Sequence, residues 1–109
     1  MELRYKNKKI RSLCEKQAEA VKKLGADCAK KLRTRLADLE AANRVTELIA
    51  GNPHPLIGDR SGQFAVSLQG GWRLVFAPSN DPHPTKPDGG IDWEQVTIVT
   101  IEYIGDYHD

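Results

Sequence analysis

A chain of 109 residues, 39% hydrophobic and 28% charged, reads as one soluble domain over residues 1–109, too apolar for disorder and long enough for a core without disulfide staples. No apolar run approaches the ~18 residues of a membrane span, and the opening MELRYKNKKIRSL is too charged for a secretory signal; the cytoplasm is the expected compartment, with no membrane partner. The net charge of +1 divides unevenly: residues 1–50 carry 13 Lys and Arg against 7 Asp and Glu, residues 51–109 carry 3 against 8, and such a basic half suits either a polyanionic partner or a solvated helical face.

In chain order, residues 2–5 have the composition of a short strand. Asn7 is placed to cap a helix, its side-chain oxygen accepting from the open N–H groups of a first turn. Ile10, Leu13, Cys14, Ala18, Val21 and Leu24 recur at steps of three and four, which predicts one amphipathic helix ending where Gly25 interrupts. A second helix restarts at Ala26-Asp27, the Asp27 carboxylate suiting a helix start. Cys28, Leu32, Leu36 and Leu39 form its apolar stripe, with Lys30 and Arg33 opposite and Lys31 and Arg35 on the flanks. Residues 44–50 add a further short turn, and Gly51-Asn52-Pro53 ends the helical half. Cys14 and Cys28 both fall on apolar positions without a CxxC or His-rich setting, so they read as reduced core residues.

The second half alternates as strands do. Residues 63–69 place Phe64, Val66 and Leu68 on one face; Gly70-Gly71 then marks a tight hairpin turn, whose central residues need positive φ. Trp72, Leu74 and Phe76 alternate with Arg73 and Val75. Residues 78–95, with four prolines and the pair Gly89-Gly90, read as a long loop. Residues 96–104 are almost all β-branched or aromatic, which predicts a central strand covered on both faces. Helices followed by antiparallel strands make the expected class α+β, a small antiparallel sheet with two or three N-terminal helices on one face.

Chemistry-bearing residues are few. His83 sits in a Pro-rich loop and His54 in Pro-His-Pro, where exposure is the simpler reading. Asp106, Tyr107 and His108 follow the last strand as three consecutive titratable groups. Arg60, between Gly58 and Gly62, and Arg73, just past the hairpin turn, are suited to gripping a phosphate, because a guanidinium is planar and bidentate. The sequence holds no phosphate-binding glycine loop, zinc motif or nucleophile elbow; the chemistry expected is that of side chains alone, with no metal or cofactor.

The segments His54-Pro-Leu-Ile-Gly-Asp-Arg60-Ser-Gly-Gln-Phe64, Gly71-Trp-Arg73-Leu-Val-Phe76 and Asp106-Tyr107-His108 together resemble the HigB toxins of the RelE/ParE superfamily, and the resemblance spans nearly the whole chain. It implies a RelE-like fold and the toxin of a type II toxin–antitoxin pair: a metal-free endoribonuclease cutting mRNA in the ribosomal A site. It implies catalytic roles for His108, Tyr107, Asp106, Arg73 and Arg60, and contacts of Lys22, Lys23, Lys30 and Arg33 with ribosomal RNA. The implied partners are mRNA, the 30S A site and a HigA-like helix-turn-helix antitoxin that carries the toxin to operator DNA. One departure stands out: the resembled toxins usually have lysine before Gly-Asp-Arg, where this chain has Ile57. Loss of a cation from a phosphate site leaves two further readings, a ParE-like gyrase inhibitor and a catalytically attenuated regulatory member of such a pair.

Overall fold

The computed structural model describes residues 1–106. Three helices precede most of a five-stranded sheet: β1 (Glu2–Tyr5), α1 (Lys8–Glu15), α2 (Gln17–Leu24), α3 (Ala26–Ala41), β2 (His54–Pro55), β3 (Phe64–Ser67), β4 (Arg73–Pro78) and β5 (Ile98–Gly105). The order across the sheet is β1-β5-β4-β3-β2, so β5 is an inner strand, flanked by β1 and β4, as its composition predicts. The expected α+β class holds. The sheet is antiparallel from β2 to β5, and β1 makes it mixed by pairing parallel with β5, Leu3 opposite Val99 and Tyr5 opposite Ile101. Nothing local announces that pairing, since its partners lie at opposite ends of the chain.

The helices follow their sequence signals, with one break. Asn7 caps α1, its side-chain oxygen accepting from the Ile10 N–H at 2.9 Å. The predicted helix over 10–24 is divided at Lys16, which is extended at φ −117°, ψ 106°. One extended residue resets the helical phase, so Ala20 is buried where the stripe predicts Ala18 and Val21, and both of those are exposed. Gly25 separates α2 from α3 at φ 85°, a conformation that costs glycine little and other residues much. In α3, Cys28, Leu32, Leu36 and Leu39 are buried as predicted, joined by Ala29. Each leucine so buried contributes on the order of 1.5–3 kcal/mol.

The helices cover one face of the sheet. Their apolar stripes meet Phe64, Val66, Leu68, Leu74, Phe76, Val99 and Ile101 in the main core. The loop 78–95 contributes as well: Trp93 packs edge-on to Phe64 at 4.9 Å between ring centroids. The Asn80 side chain ties the loop's start to its end, accepting from the Thr97 and Ile98 N–H groups. The opposite sheet face carries, among the described residues, a small buried cluster of Leu56, Ala65 and Val75, with Tyr103 packed on it. β5 is therefore buried on the helical face at Val99 and Ile101 and half-covered on the other, where none of the three helices packs.

Candidate functional site

The open sheet face is assembled by three local devices. The first is the β3–β4 hairpin. Gly70 and Gly71 sit at φ 64° and 84°, and the Trp72 N–H donates to the Gln69 carbonyl at 3.2 Å, which is the two-residue turn the glycine pair predicts. The turn sets Arg73 opposite both Ser67 and Gly105. Arg73 Nη1 then donates back to the Gly71 carbonyl at 2.6 Å, holding the guanidinium at the hairpin end.

The second device is the loop over residues 56–63. Buried Leu56 anchors it on Ala65 and Val75, and the Leu56 N–H donates to the Gln63 carbonyl at 2.9 Å, closing it. Between them Gly58–Arg60 forms a 3₁₀ turn, with Gly58 and Gly62 at positive φ. That turn lays the Arg60 guanidinium over the Tyr103 ring, 4.6 Å from its centroid, with Nη1 3.4 Å from Gln63 Oε1. Ile57, next to this turn, is 80% exposed.

The third device is an irregularity in β5. Val75 pairs with Tyr103 but Phe76 pairs with Ile101, so Glu102 is an extra residue, a β-bulge. Strict alternation would put Tyr103 on the same face as Val99 and Ile101, in the core. The bulge sends Tyr103 to the open face, against Val75. Its ring fills the space beside Gly105 where any other residue would carry a Cβ. In the sequence Tyr103 is one more strand-forming residue of the 96–104 run, and the local trace of its role is a large aromatic two residues before a glycine.

These devices set Arg60 over Tyr103 and Arg73 opposite Gly105 on the open face. Val75 faces Tyr103 and Arg73 faces Gly105, so the two registers are one strand repeat apart, about 7 Å. Asp106 is exposed and follows Gly105 directly, with Oδ1 beside Gly71. Tyr107 and His108 lie outside the described residues. His54 is on edge strand β2 opposite Ala65, its Nδ1 2.7 Å from the Asn52 carbonyl, and His83 is exposed in the 78–95 loop.

The other cations lie elsewhere. Lys22, Lys23, Lys30 and Arg33 are all exposed on the helical layer, so the sheet separates them from Arg60 and Arg73. Arg35 belongs to neither group. Its side chain is 13% exposed; Nε donates to the Ser67 carbonyl at 3.1 Å and Nη1 meets Asp38 Oδ2 at 3.2 Å, so it ties α3 to the hairpin. Burial pushes the Cys14 thiol up to about 12, with Glu15 adding to the shift, and burial also raises Cys28; both remain protonated core groups at neutral pH. Among the described residues no group of three or more His, Cys, Asp or Glu is gathered to hold a metal ion, and no helix is long and apolar enough to cross a membrane.

No protein-family profile and no curated protein matches the chain. Among solved structures, the chain is similar to a YoeB/ParE toxin from Agrobacterium tumefaciens, with a TM-score of 0.63 at 14% identity over 99% of this chain and 100% of that one. At that identity the likeness is one of architecture: the chain has the RelE-like α+β fold of that toxin.

Proposed function

We propose that this protein is the toxin of a type II toxin–antitoxin pair, of HigB type, and that it cleaves mRNA in the ribosomal A site. The observation that carries the reading is the gathering of Arg60 and Arg73 on the open sheet face at the point where the chain enters Asp106-Tyr107-His108.

The reaction suits these groups. The RNA 2′-OH attacks the adjacent phosphorus in line, forming the O2′–P bond as the P–O5′ bond breaks. The products are a 2′,3′-cyclic phosphate and a 5′-OH. A base takes the 2′ proton and an acid protonates the departing 5′ oxygen. His108 serves as acid or base, imidazole being the side chain that ordinarily titrates near neutral pH. Asp106 holds the imidazole tautomer, and Tyr107 stacks on a base or orients the phosphate. Arg60 and Arg73 stabilise charge on the phosphoryl oxygens, where one well-placed group is worth about 3–4 kcal/mol.

Lys22, Lys23, Lys30 and Arg33 contact ribosomal RNA phosphates from the helical side, leaving the sheet side to the message. This two-sided use of charge makes binding strongly salt-dependent. A HigA-like antitoxin silences the enzyme in the cytoplasm and brings it to operator DNA.

The test is primer-extension mapping of cut sites in a translating extract, comparing this chain with Ile57→Lys and His108→Ala, and with ribosome-free RNA as blank. Cuts confined to translated RNA and lost in His108→Ala are expected. Ile57 is exposed beside the Arg60 turn, so a lysine there adds a cation without burying one. Cutting by Ile57→Lys alone identifies an attenuated toxin. Cutting by none overturns the reading in favour of gyrase or a purely regulatory role.

A further inference from the structure

We infer that Tyr103 is the positioning residue for Arg60: its ring is the platform that fixes the guanidinium over the open face, and Gly105 leaves the gap in which that ring lies. The inference deepens the proposed ribonuclease reading and, in its kinetic arm, rests on it.

Arg60 comes from a short turn between two positive-φ glycines, a segment with little packing of its own. A long side chain on such a turn explores many rotamers, and ordering it costs side-chain entropy. Stacking on an aromatic face lowers that cost, because ring and guanidinium are both planar and the ring quadrupole attracts the cation. The contact here is close, 4.6 Å to the centroid, and the Gln63 amide supports the outer nitrogen.

The ring is in turn held from below and from the side. Leu56, Ala65 and Val75 lie beneath it. The bulge at Glu102 sets its direction, and the absent Cβ at Gly105 gives its hydroxyl end room. The bulge and the glycine flank Tyr103 within β5, and the loop that brings Arg60 comes from a separate stretch of the chain and meets them at this ring.

The experiment compares Tyr103→Phe, which keeps the ring, with Tyr103→Leu, which keeps apolar cover over Val75. Each is made alone and with Arg60→Ala, and folding is checked by urea unfolding. In the first arm, the side-chain proton resonances of Arg60 are measured by NMR. An upfield ring-current shift is expected in the parent protein and in Tyr103→Phe, and its loss in Tyr103→Leu. In the second arm, cleavage of translated mRNA is followed. Tyr103→Leu is expected to lower kcat by about tenfold, the scale of a partly desolvated cation–π contact, with KM for the programmed ribosome little changed. Tyr103→Phe stays near the parent rate, and in the Arg60→Ala background Tyr103→Leu causes no further loss.

An unshifted Arg60 in the parent protein overturns the inference. So does an equal loss from Tyr103→Leu with and without Arg60, since a merely structural residue acts in both backgrounds. If the parent protein cuts no RNA, the ribonuclease reading falls on its own, and the resonance arm alone decides whether Tyr103 positions Arg60.

Discussion

Gly105→Ala tests the packing logic of the open face most directly. The backbone at 105 is not at positive φ, so no conformational penalty enters; the whole effect comes from the side-chain space. An alanine Cβ there would meet Tyr103 Cζ at 2.5 Å and Cε2 at 2.8 Å, with the hydroxyl oxygen also in collision. The neighbour is a ring flanked by Val75 and the Arg60 guanidinium, so it has to swing away as a unit. Overpacking of this kind costs about 1–3 kcal/mol, and the gain from replacing a strand glycine returns roughly 0.5–1 kcal/mol. A net destabilisation of about 1 kcal/mol, and at most about 2.5, follows. It is measured by urea unfolding followed through Trp72 and Trp93 fluorescence, with an unchanged m-value. The control is the same change in Tyr103→Leu, whose shorter side chain does not reach the gap; there Gly105→Ala is expected to be neutral or to stabilise by about 0.5 kcal/mol. Equal destabilisation in both backgrounds would refute the account, because it would locate the cost in the backbone and not in the ring.

Two further expectations come from other parts of the molecule. Asn7→Ala removes the acceptor for the Ile10 N–H and should destabilise by about 1 kcal/mol, with Asn7→Asp largely retaining the cap; urea midpoints of the two variants decide it. Cys14, pushed up to about 12 from an ordinary 9.0, should react with iodoacetamide at pH 8 about 50-fold more slowly in the folded protein than in urea: its thiolate fraction is roughly a thousandfold lower, partly offset by greater intrinsic nucleophilicity. The folded state holds this proton more tightly than the unfolded state. The associated stability is therefore fully present below pH 9 and is lost as pH rises toward 12, and a Cys14→Ala protein should lose less over that window. Site-resolved alkylation by mass spectrometry and pH-dependent urea unfolding read the two effects; equal alkylation rates in folded and unfolded protein would contradict the burial.

What was legible in the sequence is what short-range physics controls. The Asn7 cap, the Gly25 interruption, the leucine stripe of α3 and the Gly70-Gly71 turn each depend on a handful of neighbouring residues, and the structure has all four. Arg60 and Arg73 stood out as guanidinium groups flanking glycines. The break at Lys16 did not, because no proline or glycine marks it, and a three-to-four-residue stripe runs through it unbroken in the sequence. The 78–95 segment reads as a loop by composition, yet Trp93 belongs to the core through Phe64, a contact between residues far apart in the chain.

The sequence by itself determined the α+β class and the covered face of the hairpin, and marked Arg60 and Arg73 as candidates, since periodicity and turn chemistry are local. Only the tertiary structure decided that β1 pairs parallel with β5, that Arg60 and Arg73 share the open face, and that the helical cations lie on the other side of the sheet. It also decided the role of Tyr103. Sequence alternation sends that ring into the core, and one extra residue at Glu102 in the β4–β5 ladder turns it outward. A strand has a side-chain period of two, so a single bulge reverses the facing of every residue beyond it, and a bulge exists only once two strands are paired.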